Sequence, residues 1–89
     1  MAAYAVYLHL DLLEAVPKRG LPRRQVMDFI HLLGMNPSTV GDYTEQDAGL
    51  RTRQIKIVSD YAITYWADHA AKSVMIVDVR RADGGLRRR

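Results

Sequence analysis

The sequence predicts an α+β domain in the order β-α-α-β-β-β, with two N-terminal helices packed on one face of a mostly antiparallel four-stranded sheet. Three observations lead there. Residues 4–9 are almost all strand formers. A segment opened by Pro22 and closed by Gly34 repeats apolar residues at helical spacing. Three further stretches of strand composition, 51–58, 61–67 and 73–79, then follow one another across short connections, which makes an antiparallel meander.

Taken in order, residues 4–9 are apolar almost throughout, the pattern of a strand buried on both faces. Asp11 with Glu14 three residues later has the form of a capping box and predicts a helix of about two turns, ended by Pro17. The second helix is the clearest element. Pro22 suits a first turn, Gly34 a C-terminal cap, and Pro37 lies just beyond. Val26, Phe29, Ile30 and Leu33 between them fall on one face. Residues 35–50 carry turn signals at Asn36-Pro37, Gly41-Asp42 and Ala48-Gly49, and read as an irregular acidic stretch with Asp42, Glu45 and Asp47.

Alternation puts Tyr61, Ile63 and Tyr65 on one face of their strand and Ala62, Thr64 and Trp66 on the other. A two-residue turn at Ser59-Asp60 would pair Val58 with Tyr61 and set Lys56 among the tyrosines. A three-residue loop pairs Ile57 with Tyr61 and keeps the lysine out of the core, so the second register is expected. Lys56, Arg80 and Arg81 then converge at one end of the sheet.

The chain has 89 residues, 13 Lys and Arg against 10 Asp and Glu, and a net charge of +3. Without Arg87, Arg88 and Arg89 the balance is even, so the excess sits at the C-terminus. Arginine outnumbers lysine, which suits bidentate contact with phosphate or carboxylate. A chain of this length holds one modest core, and residues 1–82 read as a single domain with a flexible basic tail over 83–89. No cysteine is present, which excludes disulfide scaffolding and thiolate metal sites. The N-terminal segment lacks the cationic start of a signal peptide, and no apolar run approaches the roughly 20 residues of a membrane span. A soluble cytoplasmic protein is expected.

His9, His31 and His69 show no metal-ligand spacing, and neither a nucleophile elbow nor a glycine-rich phosphate loop occurs, so no metal and no cofactor are expected. Asp42, Glu45 and Asp47 match no calcium loop and read as a solvated loop or a partner contact. Trp66, on the face opposite the tyrosines, is a candidate base-stacking platform or interface anchor. The basic residues form a candidate phosphate-binding surface whose affinity would fall steeply with salt.

Residues 51–65, running from Arg51 and Arg53 through Lys56 and the Ser59-Asp60 turn to Tyr61, Ile63 and Tyr65, and residues 72–80, an apolar strand ending in Arg80, resemble the C-terminal half of RelE/ParE-type toxins. The helical run 24–33 before Asn36-Pro37 is similar to that family's second helix and its terminating Asn-Pro. The resemblance implies the toxin half of a type II toxin–antitoxin (plasmid stabilisation) system, with a cognate antitoxin as partner, as a homodimer or a toxin–antitoxin hetero-oligomer.

In RelE-like members the toxin enters the ribosome and cleaves mRNA, the 2′-OH attacking the adjacent phosphate to leave a 2′,3′-cyclic phosphate. The resemblance makes Lys56 the residue that binds phosphate or shuttles a proton, and Arg80 or Arg81 the group that stabilises transition-state charge. Arg51, Arg53, Trp66, Arg87, Arg88 and Arg89 are then expected to bind nucleic acid or a partner. Two departures stand against catalysis. Ala62 replaces the arginine of the family's Tyr-Arg-Ile-x-Tyr segment, and the tail has no Tyr or His to serve as general acid. They favour the alternatives of a ParE-like DNA gyrase poison or a silent binding module.

Overall fold

The computed structural model describes residues 3–82. Strand β1 (Ala5–Leu8) leads into a 3-10 helix (Leu10–Ala15) and then into α1 (Leu21–Met35). Four strands follow among the described residues: β2 (Tyr43–Gln46), β3 (Thr52–Val58), β4 (Tyr61–Asp68) and β5 (Ser73–Arg81). They form one five-stranded mixed sheet in the order β1-β5-β4-β3-β2, with β1 parallel to β5 and every other pair antiparallel.

Helix α1 forms where the apolar spacing places it. Its inner stripe of Val26, Phe29, Ile30 and Leu33 is buried against the sheet face carrying Tyr61, Ile63, Tyr65, Val74, Ile76 and Val79. Phe29 meets Tyr65 edge to face, with ring centroids 5.6 Å apart. Burying each of these side chains contributes about 1.5–3 kcal/mol, and the cluster is the main source of cohesion. At its C-terminal end the helix approaches β1 closely. The Gly34 carbonyl accepts a hydrogen bond from the Tyr4 amide at 2.8 Å, and a Cβ on Gly34 would lie 3.0 Å from the Tyr4 oxygen.

Several expectations need correction. The sheet has five strands, because β2 forms within the stretch read as irregular. All four of its residues are exposed, so it has no apolar alternation to betray it; pairing with β3 defines it. The first predicted helix is a single 3-10 segment, and no side-chain hydrogen bond caps it, so the Asp11–Glu14 box does not form. Among the described residues one α-helix therefore covers the sheet where two were expected. β1 is an edge strand whose Val6 and Leu8 pack on the core while Ala5 and Tyr7 are exposed, and so it is not buried on both faces.

The β3–β4 register is the rejected one. Val58 pairs with Tyr61, Ile57 with Ala62 and Lys56 with Ile63, through a two-residue turn in which Ser59 takes φ 54°. Lys56 thus lies on the α1 face without being buried among apolar groups. Residues 39–42 cross this end of β3, and the Lys56 ammonium reaches the Asp42 carboxylate at 3.3 Å. The cost that argued against this register is removed by a loop far away in sequence.

Candidate functional site

The register sorts the basic residues between two faces. Lys56, paired with Ile63, and Arg81, paired with Tyr61, share the α1 face. The Arg81 guanidinium stands 5.8 Å from the Tyr61 ring centroid. Arg80 pairs with Ala62 and lies on the opposite face, together with Arg53. Arg80 and Arg81 are consecutive strand residues and must point apart. The predicted convergence of Lys56, Arg80 and Arg81 does not occur. Arg87, Arg88 and Arg89 lie outside the described residues.

The face away from α1 holds a cavity of about 410 Å³. Ala62 and Thr64 of β4 are buried at its floor, with Arg53 on one side and Arg80 on the other. Its position depends on a bulge in β5. Thr64 pairs with Asp78 and Tyr65 with Ile76, so Val77 is the extra residue. The bulge keeps both Asp78 and Arg80 on the cavity face while Ile76 and Val74 remain in the core.

Each arginine of this face ends on a carboxylate of the same chain. Arg80 Nε donates to Asp78. Arg53 meets Glu45 at 3.5 Å and Asp47 at 3.4 Å, while its Nε is buried with no hydrogen-bond partner among the described residues. Arg51 bonds Asp47 at 3.2 Å and lays its guanidinium carbon 4.0 Å from the Trp66 ring centroid. The cavity is therefore neutral in balance, two arginines against Glu45 and Asp78. The Arg53–Glu45 and Arg80–Asp78 pairs at the cavity are partly exposed, and such pairs are worth about 0–1 kcal/mol, so an incoming anion can exchange for them at little cost.

Asp47 organises the turn before β3. Its carboxylate accepts the Arg51 amide at 3.0 Å and the Gly49 amide at 2.9 Å as well as both guanidiniums. The Arg51 amide, ahead of the other contacts, holds its pKa below the usual carboxylate value. Asp42 is lowered likewise, first by the Ile57 amide it accepts at 2.9 Å and then by Lys56. Tyr65 is shifted the other way. Burial, with the Asp42 charge adding to it, raises its phenol to about 12, and the neutral hydroxyl donates to the Thr39 carbonyl at 2.9 Å.

Trp66 lies on the face opposite Tyr65, as alternation predicts, and the Arg51 guanidinium lies over its ring. Sequence reasoning missed Glu45, Asp47 and Asp78 as parts of the site. Two signals were there to read. Asp78 stands two residues before Arg80 on a strand, and Glu45 and Asp47 alternate in the same way. No helix among the described residues is long and apolar enough to cross a membrane.

The chain is similar in structure to a chain of the archaeal RelE–RelB complex from Pyrococcus horikoshii OT3. The TM-score is 0.66 at 18% identity, covering 93% of this chain and 99% of that one. This is a RelE-like α+β fold. No family model matches the sequence, and no curated protein matches it significantly.

Proposed function

We propose that this chain, which carries a RelE-like fold, is the toxin of a type II toxin–antitoxin pair, held in check in the cytoplasm by a cognate antitoxin. The observation that carries the reading is the placement of Arg53 and Arg80 around one cavity on the sheet face away from α1. Two guanidiniums on either side of a small-residue floor can grip a phosphodiester between them. The substrate is then mRNA on the ribosome. The 2′-OH attacks the adjacent phosphorus, the 5′-oxygen leaves, and a 2′,3′-cyclic phosphate remains. Arg80 stabilises the added charge of the transition state and Arg53 holds the phosphate. Lys56, engaged by Asp42 on the other face, supports the β3 end instead of the chemistry.

A second reading has an observation of its own. Among the described residues the cavity lining contains neither Tyr nor His, and an arginine stays protonated near neutral pH, so proton transfer to the leaving group lacks a ready donor. That favours a non-enzymatic poison of DNA gyrase, for which binding is enough.

Induction in cells, with RNA ends and gyrase–DNA adducts mapped together, separates the two. Codon-phased mRNA cuts that fall about 10²–10³-fold in Arg80→Ala and persist in Lys56→Ala support cleavage. Intact mRNA with trapped gyrase establishes the poison. No growth defect at confirmed expression removes the toxin reading altogether.

A further inference from the structure

Across the sheet face away from α1, register sets a row of side chains from edge to edge. Tyr7 of β1 pairs with Met75 of β5, and Met75 with Trp66 of β4. Tyr7 is 56% exposed on an edge strand. A second cavity, of about 580 Å³, opens at this edge; Tyr7, Leu12, Met75 and Val77 are among the residues that line it, and His9 is another. Val77, the bulged residue, also lines the Arg53/Arg80 cavity, so an apolar, aromatic-walled hollow adjoins the charged one. The Trp66 ring is already faced by the flat Arg51 guanidinium, whereas the Tyr7 wall is open.

We propose that the Tyr7–Met75 hollow is a nucleobase site for single-stranded RNA, holding by stacking on Tyr7 a base whose neighbouring phosphate lies between Arg53 and Arg80. This deepens the RNA reading above and rests on it. The dimensions suit the assignment. The three residue steps of β5 from Met75 to Asp78 span about 10 Å, which matches one to two nucleotides of extended strand. The chemistry suits it as well. A base offers a flat apolar face to a tyrosine ring and keeps its polar edge toward solvent, so an exposed aromatic next to an anion site fits single-stranded nucleic acid. Duplex RNA, whose bases are stacked on one another, has no face to offer.

The test compares three probes on the full chain: a short single-stranded oligoribonucleotide, an abasic strand of equal length, and inorganic polyphosphate. Tyr7→Ala is expected to weaken the oligoribonucleotide about tenfold or more, to leave abasic strand and polyphosphate unchanged, and to leave the salt slope intact. Tyr7→Phe restores the affinity. Unchanged abasic-strand and polyphosphate binding also shows that the alanine variant is folded. Oligoribonucleotide affinity unaltered in Tyr7→Ala overturns the base site and leaves the phosphate reading in place. An equal loss for all three probes overturns it too, since the effect is then not on a base. If the Arg53→Ala/Arg80→Ala double variant keeps every affinity, or the wild-type chain binds no RNA, the phosphate reading fails and the base site falls with it.

Discussion

Arg53 and Arg80 line one cavity from strands that are not neighbours, with Ala62 and Thr64 of β4 as the floor between them. Two small buried residues leave room for both guanidiniums to approach a common point above β4. An arginine at position 62 would fill that floor, so Ala62 accompanies a site built from the flanking strands.

Removing either guanidinium should weaken phosphate binding. Arg53→Ala and Arg80→Ala are each expected to lower the affinity for a single-stranded oligoribonucleotide and to reduce the slope of log K against log salt by about 0.7. Titrations at several salt concentrations measure both effects. An unchanged slope in both variants removes these residues from the binding surface.

The carboxylates of the face should act in the opposite sense. Asp47 engages Arg51 and Arg53 together, so Asp47→Asn takes the carboxylate from Arg51 and leaves Arg53 with Glu45 alone, which exposes more positive charge to an anionic ligand. Oligoribonucleotide affinity should rise several-fold while the turn before β3 loosens. Lower affinity in the variant means that the turn matters more than the competition.

Acid should destabilise the fold through the same groups. Asp42 and Asp47 have folded pKa values below those of the unfolded chain, so their contribution is complete above about pH 4. It is lost as pH falls through the lowered folded values. Thermal unfolding followed from pH 6 to pH 2 should show the decline, and Asp42→Asn/Asp47→Asn should flatten it.

Alkali acts through Tyr65. Its phenol is raised to about 12, against about 10 in the unfolded chain, so its stabilisation is fully present below pH 10 and is lost as pH rises through 12. An ultraviolet phenolate titration should find one tyrosine ionising about two units late. Tyr65→Phe should remove that step and cost about 1 kcal/mol for the hydrogen bond to the Thr39 carbonyl.

Gly41 tests the loop that covers Lys56. A Cβ there would lie 2.6 Å from the Ile55 carbonyl oxygen, which is backbone and cannot move aside. Gly41→Ala is expected to destabilise by about 1–3 kcal/mol and to displace Asp42 from Lys56. Wild-type denaturant unfolding of the variant contradicts the close crossing. Lys56→Ala, by contrast, deletes only an exposed ion pair and should cost about 0–1 kcal/mol.

The helix was legible because its apolar stripe and its flanking Gly and Pro are local signals, and the composition of β3, β4 and β5 was equally local. The buried set Tyr61, Ile63 and Tyr65 followed from alternation alone. β2 was not legible, since an exposed strand carrying Glu45 has no pattern that distinguishes it from a loop. Of the residues around the candidate cavity, Arg53 and Arg80 stood out as side chains, but the acids that neutralise the arginines did not.

Local composition thus determined the α+β class, the helix and the inward face of β4, because each is a periodic preference of neighbouring residues. Tertiary structure decided the rest. One residue of turn length at Ser59-Asp60 exchanges the faces of β3, and only the Asp42 loop, brought in from elsewhere in the chain, makes that register tolerable for Lys56. The Val77 bulge likewise determines which side Asp78 and Arg80 share. Face and partner are long-range properties, settled by which register satisfies all the buried and charged groups at once.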